Sequence, residues 1–207
     1  MANIPVVHII EGNIGSGKST LLKSLKNKGY TVAPEPVDEW VESGVLEEYY
    51  KGKIDAFTFQ CYILESKVKA FKQVLREWTQ GPIFLERGFE ADSKVFLKYN
   101  VDKGKSTEFQ LELYAKLAKE ITSSLNCEFG KVLYLDVSPT TCLERIGKRS
   151  RTGENSISLD LIHDLHVLYT EFVNEIPMEK QNVIKEDDED TNIQQEYLTI
   201  IQANTIF

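Results

Sequence analysis

A glycine-rich stretch near the start of the chain constrains the fold more than any other feature of the sequence. It follows an apolar run at positions 6–10 and matches the phosphate-loop pattern G-x-x-x-x-G-K-S/T at every fixed position. Glycines let backbone N–H groups turn inward around phosphate oxygens, and the helix that follows adds partial positive charge at its N-terminus. We therefore expect ATP to bind there through Gly12, Asn13, Ile14, Gly15, Ser16, Gly17, Lys18, Ser19 and Thr20. Lys18 would reach the outer phosphates, and the Ser19 hydroxyl would contact magnesium.

The chain has 207 residues, and we expect residues 1–207 to form a single domain with a sizeable core. A net charge of −8 argues against a nucleic-acid-binding surface, which needs a basic face. No apolar run approaches the ~18 residues of a membrane span, and the N-terminus lacks signal character. We therefore expect a cytoplasmic protein that contacts no membrane. The cysteines Cys61, Cys127 and Cys142 lack metal-ligand spacing and are expected to be free thiols.

Short apolar segments alternate with longer amphipathic segments along the chain. Apolar residues spaced by three or four predict helices over 54–79 and 106–124, and the nearly all-apolar segment 132–137 is typical of a strand covered on both faces. This alternation predicts an α/β fold with a parallel sheet of about five strands, helices on both faces, and ligands at the carboxyl ends of the strands. The other predicted elements are strands at 30–33, 83–86 and 183–184, and helices beginning near Pro36, Phe89, Pro139 and residue 161, with a last helix at 191–203.

Glu35 follows the second predicted strand and has a proline on each side, which stiffens the chain around it. A carboxylate near a phosphate loop can act as a general base. It is too weak a base to deprotonate an alcohol beforehand, but it can accept the proton late, as the oxygen bonds to phosphorus in a loose transition state. The alternative is an acid that only complements the dipole of the next helix. The spacing alone favours neither interpretation.

The dipeptide Glu86-Arg87 closes an apolar strand. An acid at that position can hold magnesium directly or through water, and a guanidinium beside it can stabilise charge on the moving phosphoryl group. The alternative is a surface ion pair at a strand end. We favour the catalytic interpretation, because a phosphate loop needs such partners.

Four cations crowd seven residues after the predicted strand 132–137 and the helix that follows it. They are Arg145, Lys148, Arg149 and Arg151. Cations are common at helix C-termini, which is the simpler explanation. In an acidic chain with a phosphate loop, the cluster favours instead a mobile lid over about 145–155 that brings guanidinium groups over the ATP phosphates, with Gly153 as a hinge.

Taken together, these segments resemble the deoxyribonucleoside kinase family, which includes deoxycytidine, deoxyguanosine, mitochondrial thymidine and insect multisubstrate kinases. The resemblance covers about residues 5 to 170 in family order. Beyond the glycine-rich loop, its pieces are Glu35-Pro36-Val37 with Trp40, Phe57-Thr58-Phe59-Gln60, Glu86-Arg87, Cys142-Leu143-Glu144-Arg145-Ile146, the lid arginines with Glu154, and Leu165-His166. It implies a P-loop kinase fold with a basic lid, and a homodimer formed through long helices.

The resemblance also implies a role for each matched position. Glu35 corresponds to the base that activates the nucleoside 5′-hydroxyl, Arg87 to the group that contacts the 5′-oxygen, and Glu86 to the magnesium acid. Substrate-binding positions follow: Gln60 reading the base edge, Trp40, Phe59 and Ile63 shaping the base slot, Phe96 stacking on the base, and Tyr50 with Glu154 holding the sugar 3′-hydroxyl. Tyr49 is an alternative to Tyr50. Arg149 and Arg151 match the lid arginines, with Arg145 in support, and the acidic run 186–190 falls where the family covers adenine.

Two departures bear on specificity. Gly88 stands where the family usually has serine, so that hydroxyl is missing. Lys67 stands where deoxycytidine and deoxyguanosine kinases have arginine and thymidine-preferring members have methionine, while Asp92 matches the acid of the former group. A Lys67–Asp92 pair would make a polar end to the pocket, which favours deoxycytidine or purine deoxynucleosides over thymidine. Ile63 is bulkier than that group usually carries.

Three alternatives remain beside a deoxynucleoside kinase. Thymidylate kinase shares the loop and the sheet, but its phosphorylated acceptor would call for an arginine beside Glu35, where this chain has Pro34. A GTP-binding switch should show Asn-Lys-x-Asp and Asp-x-x-Gly, and neither occurs. A catalytically inactive binding module would not need the full set of catalytic candidates.

Overall fold

The computed structural model describes residues 4–149, 151 and 154–185. Its centre is a sheet of five parallel strands in the order β2-β3-β1-β4-β5. The strands are β1 (Val6–Gly12), β2 (Thr31–Ala33), β3 (Ile83–Glu86), β4 (Glu128–Asp136) and β5 (Gln181–Lys185). The predicted parallel sheet of about five strands is therefore confirmed.

Helices connect the strands and cover the sheet. The α-helices are α1 (Lys18–Asn27), α2 (Val37–Glu42), α3 (Val45–Tyr50), α4 (Ala56–Glu77), α5 (Lys98–Asp102), α6 (Glu108–Ser123), α7 (Pro139–Arg149) and α8 (Leu159–Glu175). A π-helical turn at Asp92–Leu97 leads into α5, and short 3₁₀ turns lie at Glu154–Ser156 and Met178–Lys180. No helix among the described residues has both the length and the apolar character needed to cross a membrane.

The sheet is buried on both faces, which explains its apolar strands. In β3, Phe84 packs into a cluster with α1 and α7, whereas its neighbours Ile83 and Leu85 pack into a second cluster with α4 and α6. Alternate residues of a strand point to opposite faces, so a strand covered on both sides carries no polar face. The one exception at its end is Glu86, which enters the site described below.

Most predicted elements appear with small changes at their ends. The helix predicted to begin near Pro36 has only six residues and is followed by a second helix of the same length, because Gly44 takes a left-handed conformation with φ of 75° between α2 and α3. Strand β4 begins at Glu128 rather than residue 132. The predicted helix at 191–203, the acidic run 186–190 and Gly153 lie outside the described residues.

The order of the strands gathers the polar residues at one edge of the sheet. The chain passes from β1 to β2 at the edge, returns to β3 beside β1, and then continues to β4 on the other side of β1. The glycine-rich loop follows β1, which is the point where the direction of winding reverses. Ligands bind at such a switch point in open parallel sheets.

Candidate active site

A cavity of about 1280 Å³ lies at the carboxyl ends of the strands. Residues at or near the carboxyl ends of all five strands line it, from the glycine-rich loop after β1 to Leu135 in β4 and Lys185 at the end of β5. Every site residue predicted from the sequence lines this cavity except Gly12, Asn13 and Lys67. The cavity is therefore large enough, and has the lining, to hold a nucleotide and a second small molecule together.

The glycine-rich loop approaches α7 so closely that one of its glycines cannot be replaced. A Cβ atom at Gly15 would lie 2.4 Å from the Cys142 carbonyl oxygen, and the φ of 83° there also favours glycine. Lys18 begins α1 and folds back, so its ammonium donates hydrogen bonds to the carbonyls of Gly12 (2.9 Å) and Asn13 (2.8 Å). Burial lowers the pKa of Lys18 to about 8, and the positive charge of Arg87 acts in the same direction.

The side chain of Asn13 connects the loop to α8 and does not line the cavity. Its amide nitrogen donates to the Ile162 carbonyl oxygen at 2.8 Å, and its amide oxygen accepts from the Ile14 backbone N–H at 2.8 Å. Asn13 is almost fully buried. Its side chain therefore holds the loop in place, while the loop backbone remains available to phosphates.

The Ser19 hydroxyl and the Glu86 carboxylate meet at the start of α1. Ser19 Oγ lies 2.5 Å from Glu86 Oε1, and the other carboxylate oxygen accepts weakly from the Glu35 backbone N–H at 3.4 Å. A hydroxyl beside a carboxylate at a phosphate loop fits Mg²⁺, which takes oxygen ligands and usually completes its shell with phosphates and water. No group of three or more His, Cys, Asp or Glu side chains in the described part of the chain is arranged to hold a metal ion.

Glu35 and Arg87 form a buried ion pair beside this magnesium-binding candidate. Arg87 Nη1 lies 3.2 Å from Glu35 Oε1, and the two side chains are only 11% and 6% exposed. The guanidinium also lies over the Phe96 ring, with its central carbon 4.4 Å from the ring centroid. Both charged groups line the cavity, so a bound substrate could contact them without moving the backbone.

The end of the cavity that α2 and α4 line is mainly apolar, and it contains one side-chain amide oxygen without a hydrogen-bond partner among the described residues. Trp40, Phe59 and Ile63 pack together in one cluster, and the Trp40 indole N–H donates to Ser66 Oγ at 2.8 Å, which fixes α2 against α4. The Gln60 amide oxygen is buried and has no hydrogen-bond partner among the described residues. A buried acceptor of this kind in a cavity is poised to bind a donor on a ligand, because leaving it unpaired costs free energy.

Lys67 and Asp92 form the ion pair considered in the sequence, but Lys67 lies behind Asp92. Lys67 Nζ contacts both Asp92 carboxylate oxygens at 2.8 and 2.9 Å and the Gly88 carbonyl oxygen at 3.0 Å, and each side chain is 2% exposed. Tyr114 Oη lies 3.3 Å from the same carboxylate. Only Asp92 reaches the cavity, and burial raises the pKa of its carboxyl while Lys67 opposes that rise.

The two neighbouring tyrosines of α3 have different surroundings. The Tyr49 ring stacks on the Phe59 ring with centroids 4.1 Å apart, and its hydroxyl lies 3.3 Å from the Asn100 amide nitrogen. Tyr50 also lines the cavity, and burial together with the negative charge of Glu154 raises its pKa to about 12. The charge of Glu154 therefore acts on the Tyr50 hydroxyl, whereas the Tyr49 hydroxyl contacts Asn100.

The lid arginines lie against Glu154 rather than free in solvent. Arg149 makes two hydrogen bonds to the Glu154 carboxylate at 2.6 and 2.8 Å, and Arg151 approaches it at 3.4 Å. Arg145 donates to the Ser16 carbonyl oxygen of the glycine-rich loop at 3.4 Å. The end of α7 therefore connects the loop to Glu154 across the cavity.

One buried acid of the site is absent from the sequence-based set. Glu11 precedes the glycine-rich loop, is 1% exposed, and accepts a hydrogen bond from the Gly88 N–H at 2.8 Å. The one feature of the sequence that could have pointed to Glu11 is its place as a single acid at the end of an otherwise apolar strand. Its partner lies 77 residues away in the chain, so the sequence pattern could not reveal the contact.

The sequence of the chain is similar to those of known proteins. A sequence model of the family described as deoxynucleoside kinase matches residues 8–207. A probable deoxycytidine kinase of fowlpox virus is 31% identical, with 80% of this chain and 71% of the viral protein covered. Deoxycytidine kinase 2 of Gallus gallus is 30% identical (91% and 86% covered), and a thymidine kinase of Ictalurid herpesvirus 1 is 32% identical (79% and 72% covered). The chain therefore belongs to the deoxynucleoside kinase family and is a kinase.

Proposed function

We propose that this kinase transfers the γ-phosphoryl group of ATP to the 5′-hydroxyl of a 2′-deoxyribonucleoside. The observation that carries the proposal is the Glu35–Arg87 pair, which is shielded from solvent yet lines the same cavity as the glycine-rich loop. It offers a proton acceptor and a fixed positive charge in one place. A transfer between a phosphate and an alcohol needs both.

The glycine-rich loop binds and orients the donor. Backbone N–H groups at the start of α1 bind the phosphates, and Lys18 leaves the loop carbonyls to contact their outer oxygens. Arg145 and Arg149 supply further positive charge from α7. Positioning of this kind accounts for most of the acceleration in phosphoryl transfer, because the loose transition state needs little covalent help.

Glu35 and Arg87 act at the acceptor. Glu35 accepts the 5′-hydroxyl proton as the new O–P bond forms, and Arg87 stabilises the negative charge on the transferred group. The ion pair keeps the Glu35 carboxylate turned into the cavity before substrate binds. Ser19 and Glu86 would hold Mg²⁺, which neutralises charge on the phosphates when it is bound.

The base is held at the apolar end, where we propose that deoxycytidine or purine deoxynucleosides fit better than thymidine. Gln60 offers an unpaired acceptor, and Asp92 is a second acceptor held in place by Lys67. Acceptors suit an exocyclic amine, which thymine lacks. A thymidine-preferring enzyme is the alternative, and the similarity to a viral thymidine kinase keeps it open.

An uncharged acceptor fits this end of the cavity better than a nucleoside monophosphate. Glu35 would repel a phosphate, and the residue before it is Pro34 rather than an arginine.

We also propose a homodimer, since the apolar side chains of Phe109 and Leu117 on α6 are 73% and 43% exposed. Light scattering with size-exclusion chromatography measures that state directly.

The test is transfer of label from γ-³²P-ATP to each of the four deoxynucleosides, with thymidine monophosphate as a parallel acceptor. We expect label on at least one deoxynucleoside, lost when Mg²⁺ is chelated, and little on the monophosphate. Preferred labelling of thymidine monophosphate would instead establish the nucleoside monophosphate kinase alternative.

A further inference from the structure

Glu11 is a buried carboxylate that the proposed reaction does not use directly. It is the residue before Gly12 in β1, and it does not line the cavity. Its Oε1 accepts the Gly88 N–H, while its Oε2 is buried with no hydrogen-bond partner within residues 4–149, 151 and 154–185. A buried acid of this kind is costly, so it calls for a physical reason.

The contact with Gly88 falls beside an unusual backbone conformation at Arg87. Arg87 has φ of 51°, and no other described residue apart from glycines has a positive φ. This left-handed conformation is unfavourable for a residue with a Cβ and persists only where the surroundings hold it. Here two hydrogen bonds do so: the Arg87 N–H donates to the Ile10 carbonyl oxygen at 2.9 Å, and the next N–H donates to Glu11.

The turn is packed directly on the Glu11 carboxylate. A Cβ atom added at Gly88 would lie 3.1 Å from Glu11 Oε1, closer than ordinary van der Waals contact. Glu11 thus contacts the backbone that directs the Arg87 side chain towards Glu35. The hydrogen-bonded N–H belongs to the peptide unit that joins Arg87 to Gly88, so moving the carboxylate would move the Arg87 backbone and with it the guanidinium.

The charges around Glu11 also act on Arg87. The cations that face it are Arg87 after β3, Lys67 of α4 and Lys18 of α1, and Arg87 has the largest influence of the three. Tyr169 of α8 and Tyr134 of β4 face it as neutral hydroxyls. Burial raises the pKa of Glu11 to about 7, although Arg87 and the Gly88 N–H oppose the rise. An apolar residue at position 11 would avoid the free-energy cost of burying a carboxyl group. The presence of an acid there therefore indicates a role in the active site rather than in stability.

We propose that Glu11 is a positioning residue for Arg87: its carboxylate holds the Gly88 N–H and faces the guanidinium, so that Arg87 stays aimed at Glu35 and the transferred phosphoryl group. This inference rests on the proposed function. It predicts that Glu11 acts on the rate only through Arg87.

A double-mutant cycle with Glu11→Gln and Arg87→Ala tests this. Glu11→Gln keeps an amide oxygen that can accept the Gly88 N–H, but it removes the negative charge that faces the guanidinium. We expect it to lower kcat about tenfold with the KM for ATP within threefold of the wild type, because a small misplacement of Arg87 is costly. We expect Arg87→Ala to lower kcat by about a hundredfold or more. The double variant should match Arg87→Ala within about twofold, because Glu11 has nothing left to position.

The matched control is Asp136→Asn, which removes an acid at the end of the neighbouring strand β4 and should leave kcat within about twofold of the wild type. Glu11→Asp tests the hydrogen bond, since it keeps the charge but its carboxylate is one methylene too short to reach the Gly88 N–H, and it replaces Glu11→Gln if that variant does not fold. Multiplicative effects in the double variant, or wild-type kcat in both Glu11→Gln and Glu11→Asp, would overturn the inference while leaving the proposed function intact. A wild-type protein without turnover would overturn both.

Discussion

The Glu35 carboxylate lies 3.2 Å from the Arg87 guanidinium, at the ends of the adjacent strands β2 and β3. The pair is shielded from bulk water but open to the cavity. Each charge therefore holds the other in place before substrate arrives, and the acid and the cation act as one unit. Their mutational effects on turnover should consequently be strongly non-additive.

Replacing Glu35 by glutamine removes the proton acceptor while keeping the shape of the side chain. We expect kcat for deoxynucleoside phosphorylation to fall by about a hundredfold to ten-thousandfold, the usual contribution of a positioned base. ATP affinity, measured by equilibrium binding, should change little. Glu39→Gln is the matched control, because Glu39 lies nearby on α2 and pairs with Lys69 at the surface. Retention of most of the rate by Glu35→Gln would rule out Glu35 as the base.

The adjacent tyrosines of α3 provide a matched pair of variants. Tyr50→Phe should lower kcat/KM for deoxynucleosides by about tenfold, the upper end of what is expected when one hydrogen bond between neutral hydroxyls is lost. The physical reason is the coupling of Tyr50 with Glu154, which we expect to hold the sugar 3′-hydroxyl. Tyr49→Phe should have a smaller effect, because that hydroxyl contacts Asn100.

The loss in Tyr50→Phe should shrink when the acceptor is a 2′,3′-dideoxynucleoside, which has no 3′-hydroxyl to bind. A larger loss in Tyr49→Phe than in Tyr50→Phe would instead assign the sugar contact to Tyr49.

Lys67 contacts the Asp92 carboxylate from behind, at the polar end of the proposed base pocket. In Lys67→Met, the buried Asp92 loses its cation, so the free energy of unfolding should fall by about 3–5 kcal/mol. The ratio of kcat/KM for thymidine to that for deoxycytidine should rise, because Asp92 loses the cation that holds its carboxylate in place as an acceptor for an exocyclic amine. Steady-state kinetics and denaturant unfolding measure the two effects.

The control for that variant is Lys69→Met on the same helix, whose exposed pair with Glu39 should contribute little to the free energy of unfolding. If Lys67→Met is too unstable to assay, Lys67→Met with Asp92→Asn removes the unpaired charge. An unchanged substrate ratio would show that this pair does not set base preference.

The buried Glu11 makes stability depend on pH in a defined direction. Its folded pKa is raised from 4.5 to about 7, so between these values the folded state binds more protons than the unfolded state. Stability contributed by this group is therefore lost as pH rises through that window. Glu11→Gln should remove this slope and gain on the order of 3 kcal/mol over the wild type at pH 8, with almost no gain at pH 4.5.

Urea unfolding of both proteins from pH 4.5 to pH 8 measures the difference. If the stability gained by Glu11→Gln does not grow with pH, burial does not raise the pKa of Glu11 in the folded protein. Higher stability with lower turnover in one variant would mark a residue that is kept for function rather than for folding.

Local patterns predicted the elements whose residues repeat regularly. The apolar spacing placed α4 and α6 within two residues of their observed ends. Strand β4 was predicted too short because Gly130 and Lys131 interrupt the apolar pattern, yet the backbone continues to pair with β1 from Glu128 onwards. Backbone hydrogen bonds do not depend on side-chain polarity, so the apolar pattern of the sequence could not predict this pairing.

The residues of the candidate site also differ in how far local sequence patterns could predict them. Residues within contiguous motifs, such as Lys18 and Ser19, are specified by their immediate neighbours. The position of Lys67 behind Asp92 and the contact of Glu11 with Gly88 depend on which elements pack together. Such contacts join distant parts of the chain, and a single sequence does not encode them in any local spacing.

The central claim is that Glu35 faces an uncharged sugar alcohol across from the ATP phosphates. A crystal structure with ADP, Mg²⁺ and deoxycytidine tests it most directly. We expect the nucleoside 5′-oxygen within about 3 Å of a Glu35 carboxylate oxygen, the distance that proton transfer requires. A Glu35 side chain turned out to bulk water, with the 5′-oxygen bound elsewhere, would contradict the account.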